Sequence, residues 1–387
     1  MKTLRSGRNR RKGIYVLLLM GLLGLSGCGG PSSASVEMSS QTELVKTGSM
    51  ELQYAENFAV DYYEDGYKML TTLPDSKRYL LVPEGQPVPG GLDEDVSILQ
   101  EPLQNIYLVA SGVMDMFASV DAVGQIRFSG QKQENWYIQT AKDAMAAGDM
   151  IYAGKYSKPD YELLVFEGCD LAIENRMITH SPEVVEMLQS FDIPVMIEYS
   201  SYEQHPLGKV EWVKFFGALT GKEAEAEEAF AEQTEILEKV ESGEKTGKTI
   251  AFFYVTSNGL IQVRQSTDYI PKLIELAGGR YIFEDLEDSG SGRSTLNMQV
   301  EDFYAGAKDA DILIYNSSID GGVTTVDELI GKCNILKDFK ALQEGQVYCT
   351  TNDMYQQSMA IGYLLQDMHT VLTDDDTAKL RYLFLLQ

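Results

Sequence analysis

Residues 193–214 read Ile193-Pro-Val-Met-Ile197-Glu-Tyr-Ser-Ser-Tyr202-Glu-Gln-His205-Pro-Leu-Gly-Lys-Val210-Glu-Trp-Val-Lys214. The first five are apolar and short, as in a buried strand. Two tyrosines, Tyr199 and Tyr202, follow in a loop. Pro206 then suits the first position of a helix, where its missing N–H costs nothing. Val210, Val213, Lys214, Phe216 and Gly217 recur at helical spacing, and Thr220-Gly221 breaks the run. The segment beyond, KEAEAEEAFAEQTEILEKVE over 222–241, is rich in strong helix formers with a solvated acidic face. Ser242 to Gly247 closes it.

Strand–helix alternation lies on both sides of this helix. Upstream, Asn105–Ala110 and Asp170–Ile173 read as strands, while Val113–Ser119 and Trp136–Ala147 read as helices. Ser181-Pro182-Glu183 opens another helix, with an N-cap and a Pro behind it. Downstream, Ile250–Val255, Asp311–Tyr315 and Gln346–Thr350 are expected strands, the last of these ending the sheet. Tyr269–Ala277 is an expected helix stopped by Gly278-Gly279, and Thr325–Gly331 a short one. A closing helix is expected from Met354 to Leu372 and beyond. Such alternation predicts parallel sheets covered by helices on both faces. The fold class is therefore α/β: two Rossmann-like lobes joined by a single long backbone helix. The expected limits are an N-terminal lobe at 51–203, the backbone helix at 204–221 and a C-terminal lobe at 222–387. Near the start, Leu52–Tyr63 and Tyr67–Leu73 flank Glu64-Asp65-Gly66 as a hairpin, and Arg78–Pro83 is a further strand.

The N-terminus points to a membrane surface. Lys2, Arg5, Arg8, Arg10, Arg11 and Lys12 precede an apolar run from Ile14 to Leu25, and Ser26-Gly27 lead into Cys28. The run is short for a membrane span and has the flanks of a signal peptide. Small residues before the cysteine fit a lipoprotein signal at 1–27, with Cys28 as the lipid attachment site. Residues 28–50, rich in Gly, Ser and Thr, are expected to form a flexible tether. The mature chain is thus expected to be extracytoplasmic and lipid-anchored to the cell membrane.

Composition narrows the partners. The formal charge is −26, and losing six positive charges with residues 1–27 takes it to −32. Such a chain is a poor partner for nucleic acid or anionic headgroups, so the lipid must hold it at the membrane. Cys169, Cys333 and Cys349 lack CxxC spacing and read as buried free thiols, with a Cys333–Cys349 pair left open. His180, His205 and His369 are spread without metal-ligand spacing, so no protein-held metal is expected. No GxSxG, HExxH or P-loop is present, and no catalytic residue is named.

The lobes echo each other. Glu162 in Tyr161-Glu-Leu-Leu164 precedes Cys169-Asp-Leu-Ala-Ile-Glu-Asn175, and Glu301 in Val300-Glu-Asp-Phe303 precedes Ala310-Asp-Ile-Leu-Ile-Tyr-Asn316. Each glutamate heads a short helix, where the dipole favours it. Exposed on two lobes, such a pair also suits a partner's basic residues.

Taken together, the stretch 193–214, Ala277-Gly278-Gly279, Glu301 and Asp309-Ala-Asp-Ile312 resemble the substrate-binding lipoproteins of ABC importers. The class resembled has a helical backbone between lobes (class III periplasmic binding proteins) and handles ferric siderophores, haem and cobalamin. The resemblance covers about 100–370; the region 52–90 is less typical. It implies a membrane-anchored receptor that is not an enzyme. Its ligand would be a small-molecule metal chelate, most often a ferric siderophore, with haem or cobalamin as the alternative. Its partners would be an ABC permease and ATPase, with Glu162 and Glu301 as docking residues; Glu167 and Glu174 compete with Glu162 for that place. The rival reading is a surface-anchored enzyme without a recognisable motif.

In a two-lobe binder the ligand lies near loops at the carboxyl ends of strands. These are Ser111-Gly112, Asn175-Arg176, Tyr199–Tyr202, Ser257-Asn258, Asn316-Ser317-Ser318 and Asn352–Tyr355. Aromatic walls and arginines for an anionic chelate give the candidates Arg176, Tyr199, Tyr202, Arg264, Arg293, Asn316 and Tyr355.

Overall fold

The structure is a computed structural model describing residues 44–286, 294–317, 321–373 and 377–387. Cys28, the signal segment, Ser318 and Arg293 lie outside the described residues.

The central element is the helix Pro206–Thr220. His205 caps it: its Nδ1 accepts from the Leu207 N–H at 3.1 Å. Every residue from Pro206 to Leu219 is buried. Gly221 ends it in the left-handed region, at φ 71°, as a C-cap glycine does. A second helix, Glu223–Glu241, packs back against it. A Cβ at Gly217 would lie 2.5 Å from the Ala226 Cβ, so only glycine permits that approach.

The first lobe is built on five parallel strands. Their spatial order is 195–198, 171–175, 106–108, 126–129, 151–152. The order reverses between 106–108 and 171–175, which opens a crevice beyond their carboxyl ends. The second lobe carries a seven-stranded sheet around Thr249–Val255, Ile312–Tyr315 and Val347–Thr350, which are parallel. It is mixed rather than all parallel. Ile261–Arg264, Thr295–Met298 and Leu383–Leu385 add antiparallel edges.

The echo between lobes has a shared backbone device. Asp170 Oδ2 accepts from the N–H groups of Gln104 and Asn105, at 2.9 and 2.8 Å. Asp311 Oδ2 accepts from the Thr249 N–H at 2.7 Å and its hydroxyl at 2.9 Å. Each aspartate thus ties the start of its own strand to that of the parallel neighbour.

Residues 46–100 form a sheet of their own, in the order 46–49, 58–63, 68–72, 77–82, 96–100. One face covers the central helix: the Phe58 ring lies 4.9 Å from Trp212 and 5.3 Å from Phe215. Tyr79 Oη donates to the Val195 carbonyl at 2.8 Å and so joins this sheet to the first lobe. The hairpin at 58–72 pairs as the sequence predicts.

Several expectations need correction. The strand expected from Leu52 begins only at Phe58, because the preceding N–H groups bond to side chains instead. Glu211 accepts from Gln53, Tyr54 and Ala55, and Glu203 from Glu56 and Asn57. The tether does not extend to residue 50: Lys46–Ser49 pairs with Asp61–Tyr63, held also by Lys46–Asp61 at 2.7 Å. The helix expected from Trp136 starts at Gln139, Trp136 being fixed by its Nε1 bond to Ser129 Oγ. The closing helix runs Ile361–Thr373, and Val347–Thr350 is not the last strand, since Leu383–Leu385 pairs with it. Cys169, Cys333 and Cys349 are buried thiols as expected, and of the alternatives left open the Cys333–Cys349 bridge does not form. Burial pushes the Cys169 thiol up to about 12.

Candidate functional site

A cavity of about 450 Å³ opens at the switch point of the first-lobe sheet. Ala110, Ser111 and Gly112 follow the strand 106–108; Asn175 ends the strand 171–175, and Arg176 and Met177 follow it. The third wall is Glu198, which ends strand 195–198, with Ser200, Ser201 and Tyr202 beyond it. Lys209 enters from the central helix, and Tyr355 and Ser358 close the cavity from the second lobe.

The wall chemistry is polar and partly aromatic. The Arg176 guanidinium carbon lies 4.6 Å from the Tyr202 ring centroid, a cation–π contact. Glu198 is buried and Oε2 accepts from the Ser200 N–H at 2.8 Å and its hydroxyl at 2.6 Å. Burial pushes its carboxyl up despite these bonds. The Ser358 hydroxyl is buried with no hydrogen-bond partner among the described residues.

A layer behind the cavity holds the second-lobe wall. Tyr355 Oη takes a bond from Asn316 Nδ2 at 3.1 Å and another from the Arg264 guanidinium. Arg264 pairs with Asp268 at 3.3 Å, and Asp268 accepts from the Ile270 N–H at 2.9 Å as a helix N-cap. Burial pushes the Tyr355 phenol up, so it stays protonated.

The lobes also meet directly. Gln356 donates to the Asn135 carbonyl and accepts from the Tyr137 N–H, both at 2.8 Å. The Met359 N–H donates to Asp115 Oδ2 at 2.7 Å.

Of the residues named from sequence, Arg176, Tyr202 and Tyr355 line the cavity. Tyr199 is buried and meets Tyr202 edge-on at 6.4 Å. Arg264 and Asn316 stand behind Tyr355 rather than on the cavity surface. Ser257 and Asn258 are not in the wall. Lys209, Glu198 and Ser358 were not expected there. A signal existed for Lys209: it is one of three charges, with Glu211 and Lys214, in a helix buried on every side.

Glu162 and Glu301 are exposed in the first turns of the helices Tyr161–Phe166 and Val300–Ala307. The competitors are otherwise engaged. Glu167 pairs with Arg127 at 2.8 Å, and Glu174 is fully buried.

A parallel switch-point sheet, a buried helix between lobes and a cavity closed by both lobes decide the architecture. This is the fold of the helical-backbone periplasmic binding proteins. The periplasmic haem-binding protein HutB of Vibrio cholerae matches it with a TM-score of 0.55 and 14% identity, over 69% of this chain and 98% of that one. An ABC-type Fe3+-hydroxamate transport system structure from Saccharomonospora viridis matches at 0.54 and 15%, over 70% and 93%. The TroA-like periplasmic binding protein FepB of Veillonella parvula matches at 0.53 and 14%, over 74% and 96%. In sequence, an uncharacterized lipoprotein of Methanocaldococcus jannaschii is 24% identical over 396 residues, 93% of this chain and 92% of its own. A second uncharacterized lipoprotein of that organism is 23% identical over 366 residues, 88% and 89%. No protein-family model matches the chain.

Proposed function

We propose that the chain is a lipid-anchored solute-binding protein that captures a metal chelate between its lobes and passes it to an ABC importer. The observation that carries this reading is the cavity at the switch point, with walls from both lobes and from the helix that joins them. Cys28 would hold the lipid, and the residues up to the first strand at Lys46 the reach. Glu162 and Glu301, exposed on equivalent helices of the two lobes, would pair with basic residues of a permease, whose ATPase drives import. The buried helix between lobes favours a small rocking over wide hinge closure. A ferric siderophore is the leading solute, with haem and cobalamin as the alternatives of the same class. The names of the solved relatives, which include haem and Fe3+-hydroxamate systems, support that range.

The test is a titration of the purified chain with ferric siderophores, haem and cobalamin, read by tryptophan fluorescence. Trp136 is well placed to report, since its neighbours Asn135 and Tyr137 make the contact with Gln356. Saturable binding with the ligand recovered intact is expected. A ligand returned chemically changed would instead mean an enzyme.

A further inference from the structure

Lys209 stands in the first turn of the central helix, 5% exposed, with its side chain on the cavity wall. Among the described residues its ammonium makes no hydrogen bond and no ion pair; it lies 4.6 Å from the centroid of the Tyr269 ring. Three carboxylates are near enough to feel its charge, and each bonds elsewhere. Glu198 accepts from Ser200, Asp268 from Arg264 and the Ile270 N–H, and Asp115 from the Met359 N–H. An ammonium has three protons to donate, and burying it without acceptors is costly. Burial accordingly pushes the Lys209 pKa down. A helix buried on all sides had apolar alternatives at this position. The unmet donor therefore stands at a cavity that an acceptor can enter. Arg176, on the first-lobe wall, adds a second cation to the same cavity.

Resting on the binding reading above, we propose that Lys209 anchors a carboxylate on the captured solute. The cleft then selects carboxylate-bearing chelates over neutral ones. Arg176 and the Tyr202 ring bear on the body of the ligand, while Lys209 fixes one acidic arm at the floor. This selectivity would arise in a protein whose net charge of −26 repels anions elsewhere on its surface.

The test uses two probes that differ in one carboxylate: a ferric trihydroxamate with its pendant amine acetylated, and the same chelate succinylated. Citrate without metal is the third probe. Each is titrated by calorimetry into the wild-type chain, Lys209→Met and Lys209→Arg. The wild type is expected to prefer the succinylated chelate and to bind citrate. Lys209→Met should weaken both by about thirtyfold or more, the low end for losing one partner of a buried charge pair. Lys209→Arg should keep part of the preference. Because the wild-type comparison needs no variant, a misfolded Lys209→Met leaves the proposal testable. Equal affinity of the wild type for the two chelates, or a preference that survives Lys209→Met, overturns the carboxylate anchor and leaves the chelate reading intact. Lys209-dependent binding of citrate with no chelate bound overturns the chelate reading and leaves the anchor intact. No binding of any probe overturns both.

Discussion

Gln356 Nε2 donates to the Asn135 carbonyl at 2.8 Å, and the same amide accepts from the Tyr137 N–H at 2.8 Å. One side chain of the second lobe thus grips the first lobe with both ends of its amide, next in sequence to Tyr355 of the cavity wall. Gln356→Ala removes both bonds and strands two backbone groups. Each bond contributes on the order of 1 kcal/mol. The expected outcome is faster amide hydrogen exchange at residues 133–138 and a several-fold weaker ligand affinity, with global stability little changed. Unaltered exchange there would mean that the lobes are held by other contacts.

Asp115 joins the lobes through the Met359 N–H, and its burial pushes its pKa up to about 6, against that bond and the charge of Lys209. The folded state then holds the proton more tightly than the unfolded chain. Its stabilising contribution is complete below the ordinary carboxylate range and is lost as pH rises through about 6. Asp115→Asn keeps an acceptor for Met359 and removes the titration. Urea unfolding at pH 4, 6 and 7.5 should show the wild type losing ground to the variant as pH rises, by up to about 3 kcal/mol. A difference independent of pH would contradict this.

Glu174 is fully buried, and neither carboxylate oxygen has a hydrogen-bond partner among the described residues. Burial alone pushes it up to about 8. It is therefore neutral in the fold at pH 7, and its contribution falls as pH rises from about 4 through about 8. Glu174→Gln should match the wild type near pH 4 and exceed it near pH 9 by a few kcal/mol, measured as the difference in urea midpoints. Equal pH profiles would show that Glu174 ionises inside the fold at no cost.

Glu162 and Glu301 are exposed, on separate lobes, and neither lines the cavity. Charge reversal at either should abolish solute uptake in cells and leave the affinity of the purified chain within about twofold of wild type, as for surface changes remote from a site. A lost affinity would remove them from the docking role.

Cys28→Ala should move the protein from the membrane fraction to the soluble extracytoplasmic fraction, since the mature surface is acidic and does not adhere to anionic lipid. Retention in the membrane fraction would exclude lipid at Cys28 as the anchor.

The parts of this molecule legible in its sequence are those set by local rules. Pro206 and Gly221 mark the ends of the central helix because each backbone requirement is local. Asn175, Arg176 and Tyr202 could be placed in the wall because loops after parallel strands converge at one end of the sheet. Residues 52–57 read as strand in the sequence because their acceptors, Glu203 and Glu211, lie 146 to 158 residues further along. Leu383–Leu385 was missed because a short apolar run after a helix has no period of its own. Lys209, Glu211 and Lys214 all show as charges in a buried helix, but only packing reveals that Lys209 is the one on the cavity wall. Arg264 and Asn316 were read as ligand contacts. Their distance from the cavity surface comes from Tyr355, which stands in front of both and belongs to a loop far along the chain.

The central claim is that the cavity between the lobes is where solute is held. Ser111 lies on its wall, partly exposed, at the end of the strand 106–108. Ser111→Trp fills the space without disturbing the buried core. Calorimetric titration of a ferric chelate or haem into the wild type and this variant is the direct measurement. The expected result is one-to-one saturable binding by the wild type and none by Ser111→Trp, with both chains equally stable. Absence of binding by the wild type, or undiminished binding by the filled variant, would contradict the claim.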